Sequence, residues 1–128
     1  MFELSLMYKD GIGVSQNYEE SRSLLMDSIQ HHNKKAKFFL AKQWEKRGEL
    51  MEADPDQARR LFQELADEGD SHAQNSYATI CEKSGDIETA IIYYRRASAQ
   101  SHPAALYNLA ILTLKRLGAN GLSNSKYN

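Results

Sequence analysis

Large and small residues recur along this chain in fixed register. Three segments share one pattern: Ala36-Lys-Phe-Phe-Leu40-Ala41, Ala73-Gln-Asn-Ser-Tyr77-Ala78 and Ala105-Leu-Tyr-Asn-Leu109-Ala110. Each is an alanine, three residues, a large residue and a second alanine, with successive units 37 and 32 residues apart. A second column, Ser21, Ala58 and Ala90, stands 15 residues before each opening alanine. Four residues on come Leu25, Phe62 and Tyr94, and four further Ile29, Ala66 and Ser98. Leu4 and Ser5 stand 36 residues before Leu40 and Ala41 and fall in their positions. Large residues four apart share one helix face. Small residues at fixed positions let two helix axes approach to about 8–10 Å. The pattern therefore predicts stacked helical hairpins, none able to bury its apolar face alone.

First helices (A) are predicted at about 1–10, 36–47, 73–84 and 105–117, and second helices (B) at about 17–31, 55–68 and 87–101. Gly11 and Gly13, Gly48 and Gly85 stand where the first three A helices end. Asn17, Asp54 and Asp86 precede the small column by four residues and read as N-caps, with Pro55 at a favoured first helical position. Gly69 and Pro103 interrupt the B helices. The units run about 1–35, 36–72, 73–104 and, in part, 105–120, forming a single repeat solenoid. Residues 121–128 read as a flexible tail.

Composition narrows the function. Sixteen Lys and Arg against 17 Asp and Glu in 128 residues give a net charge of −1. Such a chain has no global field to draw nucleic acid or an anionic membrane. The single cysteine, Cys81, excludes an internal disulfide framework and a cysteine-based zinc site. No stretch approaches the roughly 20 apolar residues of a membrane span, and the start carries no basic and apolar leader. A cytoplasmic protein is expected.

The opening run Leu4-Ser5-Leu6-Met7-Tyr8-Lys9-Asp10-Gly11-Ile12-Gly13-Val14 resembles the Sel1-like repeat signature, Leu-Gly-x-x-Tyr-x-x-Gly-x-Gly-Val. Asn17-Tyr18-Glu19-Glu20-Ser21 is similar to its continuation, Asp-x-x-Lys-Ala. In the second unit Trp44 takes the tyrosine position and the glycine loop is lost. The third has a shorter loop and reads more like a tetratricopeptide repeat, and the last keeps Ala105, Leu109 and Ala110 without a B helix. The resemblance implies an all-α, right-handed α/α superhelix with a concave face lined by A helices. It also implies a non-catalytic scaffold or adaptor that binds a partner protein or peptide, a role common in bacterial complexes. An immunity or inhibitor protein masking a toxin or enzyme, and a regulatory repeat segment of a larger protein, are the alternatives. Apolar repeat ends leave self-association open.

Carried over through the repeat register, the groove positions are Phe2, Leu6, Lys9 and Asp10; Lys35, Phe38, Lys42, Glu45 and Lys46; His72, Asn75, Thr79, Glu82 and Lys83; and Tyr107, Ile111, Leu114 and Lys115. Apolar anchors with a charged rim suit a peptide or helix. Lys35, Lys42 and Lys46 form a basic strip that favours an acidic partner segment.

Catalytic, metal and cofactor chemistry finds no support. His31, His32, His72 and His102 fall in inter-repeat turns rather than at i,i+4 on one helix, and read as caps of helix C-termini. Cys81 shares the column of Tyr8 and Trp44 and reads as core. The glycines at 11 and 13 follow no strand and lack the lysine of a phosphate loop. Arg59-Arg60 and Arg95-Arg96 read as solvated outer faces.

Overall fold

The computed structural model describes residues 2–11, 17–46 and 52–125, with side chains as far as residue 118. Its elements are seven helices: α1 (Phe2–Asp10), α2 (Tyr18–Gln30), α3 (Lys34–Glu45), α4 (Pro55–Asp67), α5 (Ser71–Lys83), α6 (Ile87–Ala99) and α7 (Pro103–Ser125). No strand occurs among the described residues. The helices alternate as the two columns require, A helices at α1, α3, α5 and α7 and B helices at α2, α4 and α6. Gly13, Val14 and Gly48 lie outside the described residues, as do 126–128.

The three expected B-helix caps are in place. Asn17 Oδ1 accepts from the Glu20 N–H at 3.1 Å, Asp54 from Gln57 at 3.3 Å and Asp86 from Thr89 at 3.3 Å. Each satisfies a donor that the first helical turn would leave orphaned. The A helices α3, α5 and α7 begin two residues earlier than the periodicity predicts, and one cause serves all three. Asn33, Asp70 and His102 stand three residues before the opening alanines, and each accepts that alanine's N–H, at 3.0, 3.0 and 3.2 Å. His102 therefore caps a helix N-terminus, contrary to the C-terminal role expected of it. His31 does close a C-terminus, its Nδ1 lying 2.8 Å from the Asp27 carbonyl of α2.

The turns from B to A helices also share a register. His32, Gly69 and Ser101 are one position of the repeat, and all three are left-handed, at φ 59°, 102° and 60°. Only Gly69 takes that conformation without steric cost. At the ends of A helices, Gly11 (φ 74°) and Gly85 (φ 88°) do the same work.

The chain divides into two compact units, Met1–Leu65 and Ala66–Asn128. In the first, α1 packs on α2 and α2 on α3. Phe2, Leu25, Ala36 and Leu40 form its buried cluster, with Leu6, Ile29, Phe39, Trp44 and Leu61 packed around them. The small columns meet directly: the Ser21 hydroxyl donates to the Ser5 carbonyl at 2.7 Å, and the Ser5 hydroxyl returns a bond to the Ser21 carbonyl. Both serines are fully buried, so the polar atoms that replace alanine here satisfy one another. In the second unit α6 packs between α5 and α7. Its core is Ala73, Tyr77, Ala78, Cys81, Ala90, Ile91, Tyr93, Tyr94, Ala97, Ala105 and Leu112. Each large side chain enclosed in this way stabilises the fold by about 1.5–3 kcal/mol.

α7 runs 23 residues, through Ser125, past residue 120 where the repeat reading ended the solenoid. Proline is absent after its first residue, and Gly118 and Gly121 weaken a helix by only about 1 kcal/mol each.

Candidate functional site

In the first unit the A-helix surface centres on α3. Phe38 packs edge-on against Phe62, with ring centroids 5.6 Å apart. The Lys42 ammonium stands 5.6 Å from both centroids and 3.7 Å from the Glu45 carboxylate. Lys42 is thus an oriented cation on an aromatic pair, held at one side by a carboxylate. Lys35 and Lys46 are exposed, so the basic strip is a solvent-facing feature. Phe2 is not available to a partner: it is buried in the unit's core and packs edge-on against Phe39. Leu6 is half-buried against the same cluster. Lys9 lies 2.6 Å from Asp10, and its stem is largely enclosed.

Behind this surface lies a cleft of about 310 Å³ between α2, α3 and α4. Ile29, Leu40, Trp44 and Leu61 line it, and the Lys37–Glu64 ion pair, 3.6 Å apart, stands at its rim with Arg60. Trp44 is partly exposed there, more open than a core column residue.

In the second unit stacking brings α5 and α7 together along their polar residues. Asn108 Nδ2 donates to Asn75 Oδ1 at 3.1 Å. His102 Nε2 lies 3.0 Å from His72 Nδ1, with the rings edge to face. His102 Nδ1 accepts from the Ala105 N–H, so its proton sits on Nε2 and is donated to His72. The pair is built for two neutral rings. Partial burial and the neighbouring His72 hold the His102 pKa below its ordinary 6.5, with Asp70 pulling the other way. Sequence spacing kept these histidines apart; the repeat stack unites them.

Thr79 and Glu82 are spoken for. Both converge on the Tyr94 hydroxyl of α6: Thr79 Oγ1 lies at 3.1 Å, and the phenol donates to Glu82 at 2.8 Å. Burial pushes the Tyr94 pKa up to about 12, with Thr79 lowering it and Glu82 adding to the rise. These positions of the register support the hairpin. Lys83 is exposed, Ile111 is half-buried, and Tyr107 and Leu114 are 68% and 63% exposed. A second cleft, about 440 Å³, opens between the α5–α6 turn and α7. Ile87 and Leu112 floor it, and Glu82, Glu88, Lys115 and Arg116 rim it, with Arg116 bonded to Glu88 at 2.7 Å.

On α6, Tyr93 donates to Asp67 at 2.7 Å while the Arg96 guanidinium stacks 4.7 Å from its ring and lies 3.4 Å from the same carboxylate. Among the described residues no cluster of three His, Cys, Asp or Glu is placed to hold a metal ion. No described helix is long and apolar enough to cross a membrane. Cys81 is buried.

The partners Asn108, His102 and Tyr94 were not singled out for the site by the sequence. Asn108 and His102 follow Asn75 and His72 by one repeat period, give or take a residue or two, and that spacing was the available signal.

The sequence model of the Sel1 repeat matches residues 1–25, 34–70 and 72–102. The match includes the third unit, short loop notwithstanding. Curated proteins give no match to the sequence. Among solved structures, one neighbour is a protective antigen present in uropathogenic Escherichia coli strains and displaying an SLR fold. It superposes with a TM-score of 0.76 and 22% identity over 89% of this chain and 25% of its own. Another is a Sel1 repeat protein from Oxalobacter formigenes, with a TM-score of 0.76 and 21% identity over 88% of this chain and 47% of its own. The chain thus spans less than half the length of either. At these identities the likeness shows the fold: stacked helical repeats of the SLR kind.

Proposed function

The chain belongs to the Sel1 repeat family, whose repeats generally serve protein interaction, and from that premise we propose that it is a non-catalytic module that binds a partner protein or peptide through its A-helix faces. The observation that carries this reading is Tyr107, 68% exposed on α7 beside the Asn75–Asn108 amide pair. An aromatic ring held in solvent next to amide hydrogen-bonding groups offers what hot spots use: apolar area with low conformational cost and a directional rim. The basic strip of Lys35 and Lys42 on α3 and Lys46 at its C-cap supplies charge of one sign and favours acidic partner segments. Phe38 supports Lys42 from below rather than meeting the partner itself.

The test is co-purification of tagged protein from its native host, with quantitative identification of what is retained. A variant carrying Lys35→Glu, Lys42→Glu and Tyr107→Ala changes exposed positions only. It should keep its helical spectrum and lose the partner. Wild-type capture by that variant would sink the assignment to the A-helix faces.

A further inference from the structure

We propose that His72 and His102 form an acid-operated latch, which ties the first turn of α7 to α5 while both rings are neutral and lets it go when either takes a second proton.

The repeat register places the latch. Asn33, Asp70 and His102 are one position, the cap of α3, α5 and α7, and each accepts the N–H of the alanine three residues on. An imidazole nitrogen accepts only while it carries no proton, and histidine gains that proton between about pH 5 and 8. His102 uses both nitrogens: Nδ1 accepts from Ala105 at 3.2 Å, and Nε2 donates to His72 Nδ1 at 3.0 Å. A second proton on His102 sets its Nδ1–H against the Ala105 N–H and opens the cap. A proton on His72 Nδ1 sets two donors face to face and opens the bond between the rings. With both rings charged, like charges stand together, the ring centroids 4.8 Å apart. Neither ring is buried, so protons reach both.

The groups around the pair set its balance. From α5 and its cap come His72 itself and the Asp70 carboxylate, which favours the charged ring. Arg96, the last-turn cation of α6, is engaged by Asp67 at 3.4 Å, and α7 has no charged residue before Lys115. Partial burial and the second ring outweigh Asp70, so the His102 ring is neutral at neutral pH.

The latch shares its load with a few polar ties. Gln100, at the end of α6, donates to the Gly69 carbonyl at 2.9 Å and to Gln74 at 3.0 Å, and Asn108 donates to Asn75 at 3.1 Å. Ser101, in the turn between α6 and α7, holds a left-handed φ of 60°, a conformation that persists only while its surroundings impose it. Leu112, two turns beyond Ala105, is buried and keeps the rest of α7 on α6. Opening the latch therefore loosens the turn and the first helical turn alone. Tyr107 and Asn108 stand at the end of that stretch, so acid takes apart a surface that neutral pH assembles. This holds whether or not the surface binds a partner.

The test is nuclear magnetic resonance on the whole chain, titrated from pH 7.5 to 5. The histidine ring signals report when each proton arrives. Backbone order parameters of residues 104–108 should fall from about 0.85 to below about 0.6 as the pair titrates, while those of α6 stay near 0.85. The Ala105 N–H should shift with the ring signals. The Thr89 N–H, capped in the same way by the Asp86 carboxylate, should not. His102→Asp copies the cap of α5 and reverses the sign, because a protonated His72 then faces a carboxylate. In that variant residues 104–108 should be at least as ordered at pH 5 as at pH 7.5. Order parameters that stay near 0.85 after the rings have titrated overturn the proposal. So does a pair still neutral at pH 5, acid loosening in His102→Asp equal to that of the wild type, or unfolding of all helices together with no earlier change at 104–108.

Discussion

Ala78 and Ala110 occupy one position of the repeat, yet the structure assigns them opposite sensitivities. Ala78 is fully buried in the core shared by α5 and α6, while Ala110 is exposed on α7. Replacing Ala78 by leucine forces three more carbon atoms into a helix contact whose closeness depends on small residues. Overpacking of that kind costs about 1–3 kcal/mol. In a domain of this size that lowers the melting temperature by roughly 3–12 °C. The same substitution at Ala110 meets no neighbouring helix among the described residues and should stay within about 0.5 kcal/mol of wild type. Thermal and urea denaturation followed at 222 nm measure both variants against wild type. Equal destabilisation of the two would refute the exposure of α7 and the register behind it. Indifference of both would mean that α5 and α6 do not pack through their alanine columns.

Three further outcomes follow from local geometry. Ser101→Gly relieves a left-handed residue at the register position where Gly69 already stands; it should raise stability by about 0.5–1 kcal/mol in urea denaturation, and a loss would show that the turn is held by the serine side chain. His102 titrates below 6.5 when folded, so the unfolded chain binds its proton first. Its contribution is complete above pH 6.5 and is lost as pH falls below it. Melting temperatures between pH 5 and pH 7.5 should fall less steeply in His102→Asn, which keeps a cap but not the titration. Tyr94 behaves in the opposite sense: its pKa of about 12 means that the native state keeps a proton the unfolded chain releases above pH 10. Stability should therefore decline as pH rises from 10 towards 12, and Tyr94→Phe should flatten that decline while costing about 1 kcal/mol at neutral pH for the hydroxyl bonds to Thr79 and Glu82.

The fold was legible because its determinants are periodic. Buried Ala36, Ala73 and Ala105 and buried Leu25, Phe62 and Tyr94 mark where helices touch, and their spacing fixes the hairpins before any coordinate is known. The A-helix starts were misplaced by two residues because their caps, Asn33, Asp70 and His102, are three different residue types. Shared capability to accept an N–H unites them, and residue identity hides it. The groove positions were legible only as a register. Thr79 and Glu82 fall on groove positions of the register, but a buried phenol needs partners, and Tyr94 takes both. Phe2 likewise fell on a groove position and went to the core, where Phe39, Leu25 and Leu40 offered more burial than solvent could. Periodicity tells which residues share a face; competition for hydrogen bonds and apolar contact decides which remain free on it.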